Sequence, residues 1–262
     1  MYKRLEFDKY KKYVKYEERL DKESNCKYVL ANIKRNINSN ERIFPRVRTT
    51  YNNDAPTSLC DYMSKEEVLF AINAGIFNTQ TGKPECLLIN NRKIIVDQKE
   101  TYIHTNPKDG GEKREELYIL GIDDNGNLLI YEPKTKAEDI INDRCIDAIM
   151  GFVPLIVNYE KIDVDYICSY ISYDKHPRQI IGENNEGDYF VLTILDPGMT
   201  LDEARNLLIR LNVKLAYNLD GGSSTQTFFY KYGLTSPYRS NTGRKIPTII
   251  TFEVITGKLE ID

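Results

Sequence analysis

The sequence predicts an α+β (mixed α/β) fold, a strand-rich mixed sheet with few helices and one clear strand–helix–strand unit. Three observations predict it. Short apolar or alternating runs bounded by Gly, Pro, Asn and Asp recur along most of the 262 residues, the pattern of strands joined by tight turns. Asn125-Gly126 lies between two apolar runs, the strongest short-range hairpin signal. The best helical spacing follows the capping box Thr200-x-x-Glu203, where Leu201, Ala204, Leu207, Leu208 and Leu211 share one face.

In chain order, residues 1–26 are charged and rich in Tyr and Lys, and are expected to form an arm, helical in part or extended. Residues 27–262 are expected to form one domain. Residues 27–37 read as a strand and 38–56 as polar and irregular. Ser64-x-x-Glu67 is a capping-box pattern that starts a short helix near Lys65. A buried strand follows over 68–73. Gly82-Lys83-Pro84 is turn chemistry before a hairpin in which 87–89 and 93–96 flank Asn90-Asn91-Arg92. A second hairpin pairs 117–122 with 128–131, and Thr135-x-x-Glu138 opens a helix to about Asn142. Residues 148–157 read as a strand broken by Pro154.

Strands 179–182 and 189–195 then flank the turn 184–187. The helix behind Thr200 leads into strand 213–219, which predicts two parallel strands with a right-handed crossover. A ligand then belongs at the carboxyl end of the second strand. Residues 246–255 form a final apolar strand.

Composition narrows the function classes. The 36 basic and 39 acidic residues nearly cancel, which argues against a nucleic-acid partner and leaves room for one local basic pocket. Nineteen tyrosines suit sugar stacking, though strand propensity explains them more simply. Cys26, Cys60, Cys86, Cys145 and Cys168 are widely spaced with no C-x-x-C, so neither a zinc site nor a disulfide framework is expected. A reducing compartment fits them. With only His104 and His176, a multi-His metal site is excluded. No apolar h-region follows Met1 and no run approaches ~18 apolar residues, so neither a Sec signal nor a membrane span is expected. The expectation is cytoplasmic synthesis, with lysis or assembly into a particle as the route outward.

The chemistry concentrates where strand 213–219 ends, in Asn218-Leu219-Asp220-Gly221-Gly222-Ser223-Ser224-Thr225. The glycines let a ligand approach the main chain. The hydroxyls and freed N–H groups suit phosphate oxygens. Asp220 stands where a carboxylate does acid/base work. A strand end followed by a polar turn would look similar, but the surrounding motifs weigh against that bland reading.

Those motifs are Asn73-Ala74-Gly75-Ile76-Phe77-Asn78, His176-Pro177-Arg178-Gln179-Ile180-Ile181-Gly182, Gly198-Met199-Thr200-Leu201-Asp202-Glu203-Ala204, the Asp220 run, and Arg244 before the terminal strand. In this order and spacing they resemble the phosphodiester glycosidase family over residues 27–255. The resemblance implies hydrolysis of a phosphodiester that joins a phosphate to an anomeric sugar carbon. Its matching positions are Asn73, Gly75, Arg178, Asn218, Asp220, Gly221, Gly222, Ser223, Ser224 and Arg244. Gly243 stands where the family often has a glutamate, Glu85-Cys86 replaces a frequent glycine, and residues 196–198 are shorter than the usual loop. These departures bear on substrate identity more than on chemistry.

Roles follow from the reaction. Arg178 and Arg244 are assigned to phosphate, which a guanidinium fork matches. Gly75, Gly221, Gly222, Ser223 and Ser224 join them in substrate binding, and Asn218 holds phosphate or sugar oxygens. An oxocarbenium-like transition state needs a carboxylate as nucleophile, stabiliser or base, and Asp220 takes that role. Phosphate leaves readily, so a separate acid matters less; Glu85, Glu183 and Asp196 remain open for it. Asn73 and His176 complete the catalytic set, with strand-end capping and substrate contact as their alternatives. No cofactor is required. Oxygen ligands near Asp220 suit calcium or magnesium, but no D-x-D-x-D-G loop supports one, so the metal stays unassigned.

The expected partner is a phosphate-linked glycan or glycopolymer, with cell-wall teichoic acid as the target of a bacterial or bacteriophage enzyme and other virion proteins as partners of a phage-encoded one. The alternatives are a teichoic-acid phosphodiesterase cutting P–O bonds and a non-catalytic cell-wall adsorption module. A nucleotide-binding reading lacks both G-x-G-x-x-G and G-x-x-x-x-G-K-[ST].

Overall fold

A computed structural model describes residues 8–52, 55–65, 68–97, 103–106, 111–114, 117–163, 173–237 and 241–257. With strands numbered along the chain, a seven-stranded sheet has the order β1 (Val14–Asp21), β2 (Cys26–Ile33), β17 (Tyr189–Met199), β16 (His176–Asn184), β18 (Val213–Asn218), β14 (Val153–Val157) and β15 (Glu160–Lys161). A five-stranded sheet has the order β20 (Gly233–Thr235), β19 (Thr227–Phe229), β6 (Phe70–Asn73), β21 (Thr248–Thr256) and β3 (Glu41–Thr49). Another five-stranded sheet has the order β12 (Leu128–Tyr131), β11 (Ile119–Asp123), β13 (Cys145–Met150), β7 (Leu88–Asn90) and β8 (Lys93–Val96). Two small pairs complete the set, β4 (Tyr51–Asn52) with β5 (Ala55–Pro56) and β9 (Ile103–Asn106) with β10 (Gly111–Arg114).

All these ladders are antiparallel, which corrects the expected mixed sheet. The strand–helix–strand unit exists, as β17, α3 (Leu201–Arg210) and β18. β16 lies between its two strands and is antiparallel to both, so β17 and β18 run parallel to each other without pairing.

Alternation along the strands builds two cores. On β16, Ile181 joins a central cluster with Ile33, Phe44, Phe70, Ile149 and Tyr217, drawn from the three large sheets. Its neighbour Ile180 faces the other way, against Leu201, Ala204, Leu207 and Leu208 of α3. α3 begins at a closed capping box: Glu203 N donates to Thr200 Oγ1 at 3.1 Å and Thr200 N to Glu203 Oε2 at 2.9 Å. The short helix α2 (Ala137–Asn142) lies where expected and buries Ala137 and Ile140.

Three sequence expectations change. Residues 38–56 contain β3, hidden by Arg42, Arg46, Arg48 and Pro45. β3 is an edge strand, where the missing Pro45 N–H is tolerated. The helix expected from Lys65 is instead α1 (Leu59–Lys65), ending there. Its cap is Ser58, whose Oγ accepts from Asp61 N at 3.1 Å. The strand over 148–157 is two strands in different sheets, β13 and β14, separated at Gly151 and not at Pro154. Gly151 N donates to Tyr217 Oη at 2.9 Å, and an added Cβ would lie 2.9 Å from that ring, so the chain crosses between sheets over a tyrosine.

Within the N-terminal segment, β1 pairs residue for residue with β2, the extended alternative. Cys26, Cys60, Cys86 and Cys145 are unbridged, and Cys168 lies outside the described residues. Among the described residues no helix is long and apolar enough to cross a membrane.

Candidate active site

β18 delivers the Asp220 turn to a seam between two sheets. Leu219 is fully buried, and its N–H donates to the Gln179 carbonyl of β16 at 2.8 Å. The next N–H, of Asp220, donates to the Ala74 carbonyl beyond β6 at 2.9 Å. Asn73 then clasps both ends of the loop. Its Nδ2 donates to the Asp220 carbonyl at 2.7 Å, and its Oδ1 accepts from Gln226 N at 2.9 Å. The carboxamide is thus used on backbone, the capping alternative for this residue.

The two glycines have separate reasons. A Cβ on Gly221 would lie 2.8 Å from the Pro177 carbonyl, so the start of strand β16 abuts the motif. Gly222 has φ +58° and opens a 3-10 turn, Gly222–Ser224. Gly221→Ala is expected to cost about 1–3 kcal/mol of stability through overpacking. Thermal melts check it.

Asp220 is the electrostatic centre. Burial raises its carboxyl from 3.8 to about 6, against the lowering effects of the Ser224 hydroxyl, the Arg244 charge and the Gly221 N–H. That N–H donates to Asp220 Oδ1 at 2.9 Å. Arg244 Nη1 donates to Ser223 Oγ at 2.8 Å and Ser224 Oγ at 3.0 Å, and its guanidinium sits 5.0 Å from the centre of the Phe77 ring. A cation is therefore held over an aromatic face beside a half-buried carboxylate.

Cys86 lines the same region. Burial, with the Glu85 and Asp220 charges, pushes its thiol up to about 12, so it is a protonated wall and no nucleophile. Of the three open second acids, Glu85 is the one at this site, an exposed carboxylate accepting from Asn78 Nδ2 at 2.7 Å. Glu183 is buried in ion pairs with Arg35 at 2.7 Å and Lys214 at 3.3 Å, and Asp196 is exposed on β17.

The remaining predicted residues are placed differently. Arg178 shares the α3 face of β16 with Ile180 and is 3% exposed. Its Nε donates to the Met199 carbonyl at 2.6 Å and its Nη2 to Asp174 O at 3.2 Å. Burial lowers its pKa to about 10, with Glu203 opposing. His176 is half-buried at the start of β16, opposite Met199 and next to the Pro177 that meets Gly221. Gly75 donates its N–H to Thr248 Oγ1 at 3.1 Å, and an added Cβ would strike Ile149 at 2.7 Å, so it packs sheet on sheet. Asn218 is buried, with Nδ2 on the Leu219 carbonyl at 3.0 Å and Oδ1 without a partner among the described residues.

Two further residues join this candidate site without a sequence signal: Phe77 lies inside the Asn73–Asn78 motif, and Gln226 directly follows the hydroxyl run. No local signal marks Gln226, because its partners come from Asn73 and Arg244.

The fold recurs among solved structures. The catalytic domain of zebrafish N-acetylglucosamine-1-phosphodiester alpha-N-acetylglucosaminidase, auto-inhibited by its pro-peptide, is 18% identical with a TM-score of 0.65, covering 92% of this chain and 82% of that one. A protein from Synechocystis is 14% identical with a TM-score of 0.66, covering 94% and 62%. An exported protein from Burkholderia pseudomallei K96243 is 9% identical with a TM-score of 0.56, covering 87% and 74%. No curated protein matches the sequence. Residues 66–253, which carry Asn73, the Asp220 turn and Arg244, match the phosphodiester glycosidase family, and the chain belongs to that family.

Proposed function

We propose that this chain hydrolyses a phosphodiester joining phosphate to the anomeric carbon of a sugar, with Asp220 as the reacting carboxylate. Family membership supports a hydrolase of phosphodiester-linked sugars. The observation that carries the finer reading is the juxtaposition of a half-buried carboxyl raised to about 6 with Arg244, which bridges the hydroxyls of Ser223 and Ser224 in the Asp220 turn.

The proposed steps use the residues gathered at the Asp220 turn. Arg244 exchanges its serine hydroxyls for the substrate's phosphate oxygens, while Ser223, Ser224 and the Gly222 region supply further donors. As the C–O bond lengthens, negative charge grows on the phosphate, where Arg244 stabilises it. Positive charge grows on the sugar, where the Asp220 carboxylate stabilises it or bonds to it. Water supplies hydroxide to carbon; its proton passes to a carboxylate, Glu85 being the second one at the site, and then to solvent. Asn73 and Arg178 act as positioning residues in this account, holding the turn and the start of β16 respectively. His176 and Asn218 stand beside the turn as substrate contacts. The charge a divalent cation would supply is assigned to Arg244, and chelators are expected to leave turnover unchanged.

Two predictions follow from these roles. Arg244→Ala should lower kcat/KM about 10²- to 10³-fold, the usual cost of removing one transition-state charge donor. Steady-state kinetics on a sugar-1-phosphodiester checks it. The free enzyme's kcat/KM should rise with pH through about 6, since the ionised carboxylate is the active form. A pH–rate profile without that limb would remove Asp220 from the role.

The proposed target is a phosphate-linked cell-wall glycopolymer such as glycerol-phosphate teichoic acid, attacked by a bacterial or phage-borne enzyme. The Arg244–Ser223–Ser224 clamp equally suits a phosphoryl transition state, so P–O cleavage is the second reading. Wild type and Asp220→Asn, each incubated with this polymer and with an N-acetylglucosamine-1-phosphodiester, are compared by phosphorus NMR. Release by wild type alone supports hydrolysis through Asp220. Retained binding without release from either substrate makes the chain an adsorption module.

A further inference from the structure

Gln226 is fully buried beneath the Asp220 turn, and its backbone N–H is fixed on Asn73 Oδ1 at 2.9 Å. Its side chain reaches toward the late arginine. Nε2 donates to the Arg244 carbonyl at 3.0 Å. Oε1 occupies the place where a side chain at position 243 would begin, since a Cβ on Gly243 would lie 2.0 Å from it. Gly243 also has φ +81°, which a side chain would strain. The amide cannot be reversed, because its oxygen would then face the Arg244 carbonyl. Oε1 has no hydrogen-bond partner among the described residues. An orphaned buried acceptor is destabilising, so its presence needs a reason.

Resting on the reading that Arg244 meets the substrate phosphate, we propose that Gln226 is a positioning residue that sets Arg244 and thereby the affinity of the site for phosphate. The carboxamide and the bare Gly243 act as a pair. The amide fills the space left by the missing side chain and tethers the main chain of Arg244. The guanidinium is then delivered across Ser223 and Ser224 and onto Phe77. A buried, unpaired oxygen accompanies that tether, a local loss of stability at a functional site.

The test uses the full chain and inorganic phosphate as probe, measured by titration calorimetry. Gln226→Met keeps the volume and removes the donor, and should weaken phosphate binding about 3- to 10-fold, the range of one hydrogen bond. KM for a sugar-1-phosphodiester should rise by a similar factor, the loss falling on KM more than on kcat. The deciding comparison is a double-mutant cycle. In an Arg244→Ala background, Gln226→Met should cause no further loss of phosphate affinity. Equal weakening in both backgrounds, or none in the wild-type background, overturns the proposal.

If the Met variant does not fold, Gln226→Leu, which lacks the donor and adds no charge, should weaken binding in the same way. Phosphate affinity is also measured on Asp220→Asn. That readout needs no turnover, so failure of the glycosidase reading and failure of this proposal give different results.

Discussion

Asp220→Asn is expected to abolish turnover and at the same time to stabilise the protein. Loss of the carboxylate proposed to react should lower kcat by about 10³-fold or more, as removal of a general base or nucleophile does. The stability effect follows from linkage. The folded carboxyl titrates at about 6 against 3.8 for the ordinary group, so between those values the native state binds more protons than the unfolded one. Asp220 therefore destabilises the fold progressively as pH rises through that window, and fully above it. A shift of this size corresponds to roughly 3 kcal/mol at 1.36 kcal/mol per unit. Partial solvent access reduces this to about 1–2 kcal/mol. The asparagine variant should melt about 2–6 °C higher than wild type at pH 7.5. The gain should vanish near pH 3.5. A variant that is inactive but less stable at pH 7.5 would show that the carboxylate is well solvated, and the raised pKa would have to be abandoned.

The largest stability loss is expected at Asp147. This side chain is fully buried and accepts from Arg46 Nε at 2.7 Å, Val47 N at 3.0 Å, Asn91 N at 2.8 Å and Asn90 Nδ2 at 3.3 Å. It lies on β13, whereas Arg46 and Val47 lie on the edge strand β3, so one carboxylate ties two sheets together. Asp147→Ala leaves the buried Arg46 guanidinium uncompensated, which costs about 3–5 kcal/mol. Urea unfolding should move to a clearly lower midpoint. A loss below about 1 kcal/mol would mean that water replaces the carboxylate and that the sheets are held by apolar contact alone.

The same ion pair shows why part of the fold was not legible in sequence. An arginine in a run reads as exposed, and nothing near Arg46 announces an aspartate on another sheet. Residues 41–49 therefore read as irregular in the sequence, although they form β3. The hairpins were legible because their turns carry the demanding residues: Asn91 and Arg92 have φ of +53° and +59°, and Gly126 has φ of +85°. α3 was legible because cap and periodicity agree. The partition of 148–157 between sheets was not, since Tyr217 and Gly151 set it at long range.

For the site, local motif order foretold the meeting of Asp220 with Ser223, Ser224 and Arg244. It did not foretell which face Arg178 takes, because side-chain direction on a strand depends on pairing register. Nor did it foretell that Asn73 would use both ends of its amide on the loop backbone.

Asp220 is proposed to act on the sugar carbon of a phosphodiester. The most direct test of this is hydrolysis in water enriched in heavy oxygen, with the products analysed by mass and by phosphorus NMR. The account predicts label on the anomeric hydroxyl and none on the released phosphate, in a reaction absent from Asp220→Asn. Label on the phosphate would contradict it and make the chain a phosphodiesterase.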